Sequence, residues 1–542
     1  MVHSIALHDL PTTSQFLNDF WQAKESVRRL VPRHFLDTDA FAGQARVLAA
    51  GRYDRAGVAD VLAEQNARFG AARPAMESIE RLRNPRSMVV IGGQQAGLFG
   101  GPLYTVHKAL TVLSLARRMA KELDAPVVPL FWIASEDSDL AEVDHAYVTG
   151  RDGALAALRI PGSGPDKVPV SSVRLGDPIA SLLRDLEGLL PEGPFVEEVL
   201  AELRAAYTPG RTYPQAFGAW MAWLFSGMGL AVVDPSDDRL KRIAAPLFER
   251  EILEGSPVSA AVMEQTEKLV SAGYGAQIEL RPGFLTLFHQ DPARDAIVVK
   301  DRSYELKSSG KRYTREELRA LLASRPGLFT PNAVLRPLFQ DTLFPTLACV
   351  LGPAELAYFS ELTLAYERMG VNMPLMFPRA SLTLVEPKVE KLRSKLAVGI
   401  PEVIARGERI IDDILSRGIP ASLTGEIASA RDATAAAWRG ILSRIDSLDP
   451  TLHRTAELGS NRALYQLDVM ERKVAQAARR KNALLRDQVN RLVAALAPRG
   501  GLQERTLCTL PFLARHGREL MDTCLEAIDP FAPEHRVVEL DG

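Results

Sequence analysis

The chain predicts an α/β protein with a parallel-sheet core, inserted subdomains and a C-terminal α-helical coiled coil. Three observations carry this. The run from Ser87 to Ile91 is short, apolar and β-rich, and it passes into a glycine-rich turn, Gly92-Gly-Gln-Gln-Ala-Gly-Leu-Phe-Gly-Gly101, and then Pro102, which suits a helix start. The run from Val127 to Ala134 is apolar throughout, as a parallel strand covered on both faces is. From about Glu386 onward, long charged and apolar stretches have helical and coiled-coil spacing.

At 542 residues and 46% apolar composition, the chain can bury a sizeable core and exceeds one ordinary compact unit. We expect a core over 1–380, with insertions near 150–210 and 255–327, a helical arm over 381–498, and a tail over 499–542 that packs back on the core. The net charge of -2 gives no pull toward nucleic acid or an anionic membrane. Three cysteines, Cys349, Cys508 and Cys524, have no CxxC spacing, so no structural zinc is expected and a reducing compartment is. No stretch approaches the length of a membrane span, and the N-terminus lacks a basic region followed by a long apolar one; the expectation is a soluble, cytoplasmic protein.

In chain order, residues up to about Arg86 read as mainly helical. The helix from Pro102 to about Leu123 carries Leu103, Val106, Leu110 and Leu113 on one stripe and Tyr104, His107, Lys108 and Thr111 on another, so one face packs on a sheet and the other can look into a cleft. Glu136, Asp137, Asp139, Glu142, Asp144 and His145 follow the second strand. Open α/β sheets bind ligands at the carboxyl ends of their strands, so a donor-rich loop at Gln94, Gln95, Gly97 and Gly100 and this acid-rich loop should face one crevice. The plainer reading makes the acids solvated helix caps. A further strand ends in Asp234, a second crevice candidate or a routine turn residue. Short runs at 277–280, 284–289, 296–300 and 303–307 predict an antiparallel insertion that acts as a lid or supplies specificity.

Asn332, Arg336 and Asp341 stand among Leu, Phe and Pro. Arg336 is singled out because guanidinium can hold a carboxylate or phosphate with two parallel hydrogen bonds; the plainer reading is a salt bridge to Asp341 or another core acid. A strand from Leu347 to Leu351 should lead through Gly352-Pro353 into a helix with Glu355 and Tyr358 on one face, and a last strand should end at Arg379. Cys349 reads as a buried small hydrophobe. In the arm, Ile441, Ile445 and Leu448 have coiled-coil spacing, a break falls near Asp449-Pro450, and basic residues between Arg472 and Arg491 read as a solvated flank.

The strings Gly93-Gln-Gln-Ala-Gly-Leu-Phe-Gly-Gly-Pro-Leu-Tyr-Thr-Val-His-Lys108 and Phe131-Trp-Ile-Ala-Ser-Glu-Asp-Ser-Asp-Leu-Ala-Glu-Val-Asp-His145 closely resemble the bacillithiol-biosynthesis cysteine-adding family, BshC. Further matches lie at 331–341, 352–358, 376–379 and in Leu502-Gln-Glu-Arg505. The resemblance spans nearly the whole chain. It implies a Rossmann-like core related in shape to class I nucleotidyltransferases, subunits paired as a homodimer through the coiled coil, and addition of L-cysteine to malyl-glucosamine.

Amide formation in water needs an activated carboxylate, a charge clamp and a base. Activation would call for an adenine nucleotide, ATP, with Mg²⁺. We expect Gln94, Gln95 and the amides of residues 97–101 to hold an oxyanion, with Lys108 or Arg336 neutralising it. Asp137 and Asp139 would bind Mg²⁺ or the substrate's ammonium group, and Glu136, His145 or His107 would accept the amine proton. There is no GxGxxG, no P-loop and no HxGH or KMSKS string, so the common nucleotide motifs are missing. Two alternatives stay open at this point: a non-catalytic nucleotide- or amino-acid-binding coiled-coil protein, and a nucleotidyl-transferring enzyme acting on RNA or a small acid.

Overall fold

Five buried runs form the central sheet in a computed structural model, which describes residues 2–10, 14–161, 167–301, 303–416, 421–481 and 483–541. The strands are β1 (Met88–Gln94), β2 (Val127–Ile133), β3 (Ala231–Val233), β4 (Thr346–Leu351) and β5 (Leu375–Pro378). Their order is β5-β4-β1-β2-β3, and every neighbouring pair is parallel. All residues of β2 and β4 are buried, which is why their sequences lack polar alternation. The chain builds outward from β1 to β3, then returns to place β4 on the other side of β1. That reversal opens a crevice outside the carboxyl ends of β1 and β4.

Close packing sets the crevice floor. In the β1–β2 register Gly93 lies opposite Trp132, and a Cβ on Gly93 would come within 2.8 Å of the Trp132 carbonyl oxygen. Only glycine fits there. Helix α1 (Leu103–Glu122) packs on β1 and β2 with Val106, Leu110 and Leu113 inward. Its second stripe is also covered: His107, Lys108 and Thr111 are buried, the tail segment 503–505 lies against the helix, and the Thr111 hydroxyl accepts the Ala380 amide. The face expected to look into a cleft is therefore mostly interior.

The insertion is a five-stranded antiparallel sheet made from Phe284–Gln290, Arg294–Lys300, Ser303–Leu306, Arg312–Thr314 and Phe329–Pro331. Residues 277–280, expected as a strand, are irregular because the Gln277 amide donates to the Glu361 carboxylate instead of to a ladder partner. The region opens with a helix, Pro257–Ser271, which buries Val258, Ala261, Val262 and Leu269. A hairpin, His145–Thr149 with Leu155–Arg159, follows the acidic loop.

The N-terminal region is helical from Gln15 to Arg81, with breaks, but it begins as a strand. Val2–Ala6 pairs antiparallel with Glu534–Glu539, which pairs parallel with Ser381–Val385. The partner lies at the far end of the chain, where local periodicity cannot reveal it. One compact unit thus comprises residues up to Val385 together with Leu502–Leu540, and the other comprises Glu386–Gly501 with the last two residues. In that second unit, helices Ala421–Leu448 and His453–Lys481 form an antiparallel hairpin, turned where the Asp449 side chain accepts the Thr451 amide at 2.9 Å. Side chains at 478–482, part of the basic flank, lie outside the described residues.

Candidate active site

A cavity of about 680 Å³ opens where the loops after β1 and β4 diverge. Gly93, Gln94, Gln95, Tyr104, Trp132, Asp137, Glu142, His145, Arg336, Gln340, Cys349, Glu355, Tyr358 and Arg505 line it. A second chamber of about 300 Å³ shares Trp132, Ala134, Asp137 and Arg336 with the first, and adds Glu136, Phe288, Arg294 and Asn332. Gln95 Nε2 donates to Asp137 Oδ2 at 2.7 Å, so the donor-rich and acid-rich loops meet.

The floor is a closed charge pair. Lys108 Nζ donates to Gly93 O at 2.7 Å, Gln94 Oε1 at 3.2 Å and Glu355 Oε2 at 2.5 Å. Glu355 Oε2 also accepts the Gly352 amide at 2.6 Å. Burial pushes the Lys108 pKa down, against the pull of Glu355. Its charge is thus met within the protein, and it does not project as the expected phosphate clamp. Arg336 differs. It donates to the Tyr358 hydroxyl at 2.9 Å and, among the described residues, has no carboxylate within ion-pair distance. The salt bridge to Asp341 does not form, because Asp341 accepts from Thr346, Gln340 and Tyr366, away from the cavity. Burial pushes the Asp341 pKa up to about 6.

Several other expected site residues are structural. The Gly97 amide donates to Gln95 O, Leu98 to Val143 O, Gly100 to Gly97 O and the Tyr207 hydroxyl, and Gly101 to Leu98 O. This turn is not an open oxyanion cradle. Gly100 holds φ +90, and a Cβ there would meet the Trp220 indole nitrogen at 2.7 Å. His107 is fully buried, with Nδ1 2.8 Å from Glu504 Oε2. Arg379 grips both oxygens of that glutamate, at 2.9 and 2.6 Å. Neither residue lines the cavity. Asp234 accepts from the Ser135 hydroxyl at 2.5 Å and the Ser236 amide at 3.0 Å, and it borders a separate polar pocket. Asp139 caps the Ala141 amide at 3.1 Å, and Asn332 caps the amides of Val334 and Leu335.

The remaining acidic and basic groups do reach the chambers. Glu136 pairs with Lys241 at 2.7 Å; burial pushes its pKa up and Lys241 opposes this. Asp137 is exposed and also accepts the Ser138 amide at 2.7 Å. His145 Nδ1 lies 3.1 Å from Ala141 O and 3.0 Å from Asp144 Oδ1. Both are acceptors and lie closer than the Arg159 guanidinium nitrogen at 3.5 Å, so the neutral ring carries its proton on Nδ1 and presents Nε2 as an acceptor. Among the described residues, no group of three or more His, Cys, Asp and Glu is arranged to hold a metal ion.

Sequence reasoning did not assign Trp132, Lys241, Arg294, Glu504 or Arg505. Lys241 was accessible, because it lies on the helix Asp238–Ile243 that follows β3. Glu504 and Arg505 stood in a matched string without a role. Arg294 carried no local signal, being one arginine in a short insertion strand.

Two family models match the chain: Bacillithiol biosynthesis BshC, N-terminal Rossmann-like domain, over residues 2–380, and Bacillithiol biosynthesis BshC, C-terminal coiled-coil domain, over 382–540. A protein of Koribacter versatilis (strain Ellin345) is 35% identical over 539 residues, 99% of each chain. One of Salinibacter ruber is 32% identical over 521 residues, 96% of this chain and 95% of that one. Both have cysteine ligase BshC in their names. A Campylobacter jejuni structure titled as an arginyl tRNA synthetase covers 86% of this chain at 8% identity, and its TM-score of 0.21 carries no argument for the class I likeness. With a Rossmann-like core over residues 2–380 and a coiled-coil domain behind it, the chain belongs to the bacillithiol biosynthesis BshC family.

Proposed function

We propose that this protein is a ligase that joins the carboxyl group of L-cysteine to the amine of malyl-glucosamine. The observation that supports this best is the cavity at the strand-order reversal, where the Gln95–Asp137 hydrogen bond stands beside the unpaired Arg336 guanidinium. An anionic substrate needs cations to hold its oxygens, and amide formation needs a base for the amine; these groups fit both needs. Arg336, with the exposed Arg505, meets anionic substrate oxygens. Asp137 orients the ammonium form of the amine. Nε2 of His145 takes the proton the amine gives up. Gln94 and Tyr104, hydrogen-bonded to each other at 3.1 Å, shape the wall between them.

A nucleotide, ATP in the sequence reading, would supply the leaving group that makes acylation favourable. Its anionic oxygens would be met by Arg336 and Arg505. The residues do not fit Mg²⁺ held between Asp137 and Asp139, since Asp139 serves as a cap and Asp137 already accepts from Gln95 and Ser138. Homodimer formation through the arm is part of this proposal, supported by exposed Ile441, Leu448, Leu458, Tyr465 and Met470 on the hairpin. So is a cytoplasmic location, where a cysteine substrate stays reduced.

The test is to incubate the full chain with L-cysteine and malyl-glucosamine, with and without ATP and Mg²⁺, and detect the thiol product by mass. The expected result is product whose rate falls about 100-fold or more in Asp137→Asn. No product with any nucleotide would overturn the reading.

A further inference from the structure

Arg294 comes from the insertion, not from the Rossmann-like core, and its guanidinium lines the smaller chamber. It stacks on Phe288 with Cζ 4.1 Å from the ring centroid, and Nη2 donates to Pro331 O at 3.0 Å. These contacts fix the plane of the group and leave Nε buried without a hydrogen-bond partner among the described residues. Trp132, fully buried, lines the same chamber, and its indole N–H also has no partner among the described residues. Arg336 stands at the boundary with the larger chamber, engaged by Tyr358 alone.

The acids nearby do not neutralise this set. Glu136, paired with Lys241 at 2.7 Å, and Asp137 both act on the Arg294 charge, but three cations, Lys241, Arg294 and Arg336, stand against these two carboxylates and leave positive charge over. Buried N–H donors without acceptors are costly, and a bound acceptor relieves that cost. A chamber of about 300 Å³ with forked guanidinium donors suits a small, planar, anionic acceptor.

We propose that the smaller chamber is a carboxylate subsite that holds a free carboxylate of the malyl group, while the glucosamine amine lies in the larger chamber beside Asp137 and His145. This rests on the cysteine-adding reading above. The cysteine carboxylate is the other source of the same chemistry. It is consumed during the reaction, and a fixed guanidinium pair would stabilise its charged ground state and oppose acylation. The malyl carboxylate persists unchanged from substrate to product, so the same grip serves throughout. The insertion thereby becomes the part of the molecule that reads the acid.

L-malate is the probe. In steady-state assays of the full chain it should compete with malyl-glucosamine and not with cysteine. Arg294→Gln and Trp132→Phe should weaken malate inhibition and raise the KM for malyl-glucosamine by about 10- to 100-fold, more than they change kcat or the KM for cysteine. Arg294→Lys should recover part of the loss. Melting curves check that each variant folds; because Trp132→Phe also shrinks a fully buried side chain, Arg294→Gln is the deciding variant. Competition of malate with cysteine, or an unchanged KM for malyl-glucosamine in folded Arg294→Gln, would overturn the subsite. Absence of any turnover by the unaltered chain would count against the reaction instead. Calorimetric binding of malate, present in that chain and lost in Arg294→Gln, would then still support the subsite, and equal binding in both would sink it.

Discussion

Glu504 and Glu136 are both buried in the core unit, 1% and 7% exposed, yet their surroundings differ in kind. Glu504 accepts two hydrogen bonds from Arg379, one each from the Ser381 hydroxyl and the Leu382 amide, and contacts His107. Burial alone would raise its pKa; Arg379 and His107 reverse this and hold it well below the usual carboxylate range. Glu136 has one ion-pair partner among the described residues, Lys241, and burial keeps its pKa raised against Lys241 and Arg294. The first carboxylate is saturated and ties the tail to β5 and α1. The second is under-supplied and faces a chamber. Saturated charge builds the frame, and spare charge capacity marks the part that meets substrate.

Breaking the saturated cluster should have the largest effect. Glu504→Gln leaves Arg379 buried without its counter-charge and should cost about 3–5 kcal/mol in urea unfolding. The pH dependence gives the sign independently. Because the folded pKa of Glu504 is depressed, its contribution is fully present above the unfolded value near 4.5 and is lost as pH falls toward the folded value. In the variant this part of the acid-side slope should vanish. Asp137→Asn, at an exposed position in the chamber wall, should lower kcat/KM about 100-fold with little change in unfolding midpoint, which would separate the two regions cleanly. Arg336→Met should raise a substrate KM by about tenfold to 100-fold through loss of charged hydrogen bonds. The smallest effect belongs to Asp139→Ala: about 1 kcal/mol of lost capping and unaltered kinetics. Equal kinetic damage from Asp139→Ala and Asp137→Asn would erase the distinction between frame and site.

The meeting of Gln95 with Asp137 was legible because strand ends in a parallel sheet have a fixed geometric fate. Tyr104 stood out by its helical stripe, Arg336 by its guanidinium in an apolar setting, and Glu355 and Tyr358 by the helix that follows a strand, and all four line the cavity. His107 and Arg379 misled because helical periodicity shows which residues share a face and not what covers that face. The cover is the segment 503–505, separated from α1 in sequence by the whole arm. The glycine amides misled for a related reason: their acceptors, such as Val143 O and the Tyr207 hydroxyl, come from other segments. Arg294 depends on how the inserted sheet folds over the crevice, and no local pattern encodes that.

The tail also has a temporal consequence. Arg505, Glu504 and the Glu534–Glu539 strand are made only after the arm has been synthesised, so on the ribosome Arg379 and His107 wait for their counter-charge. At typical elongation rates that wait lasts on the order of ten seconds. During it the nascent chain has an unfinished binding wall, and Val2–Ala6 and Ser381–Val385 lack the strand that joins them into one sheet.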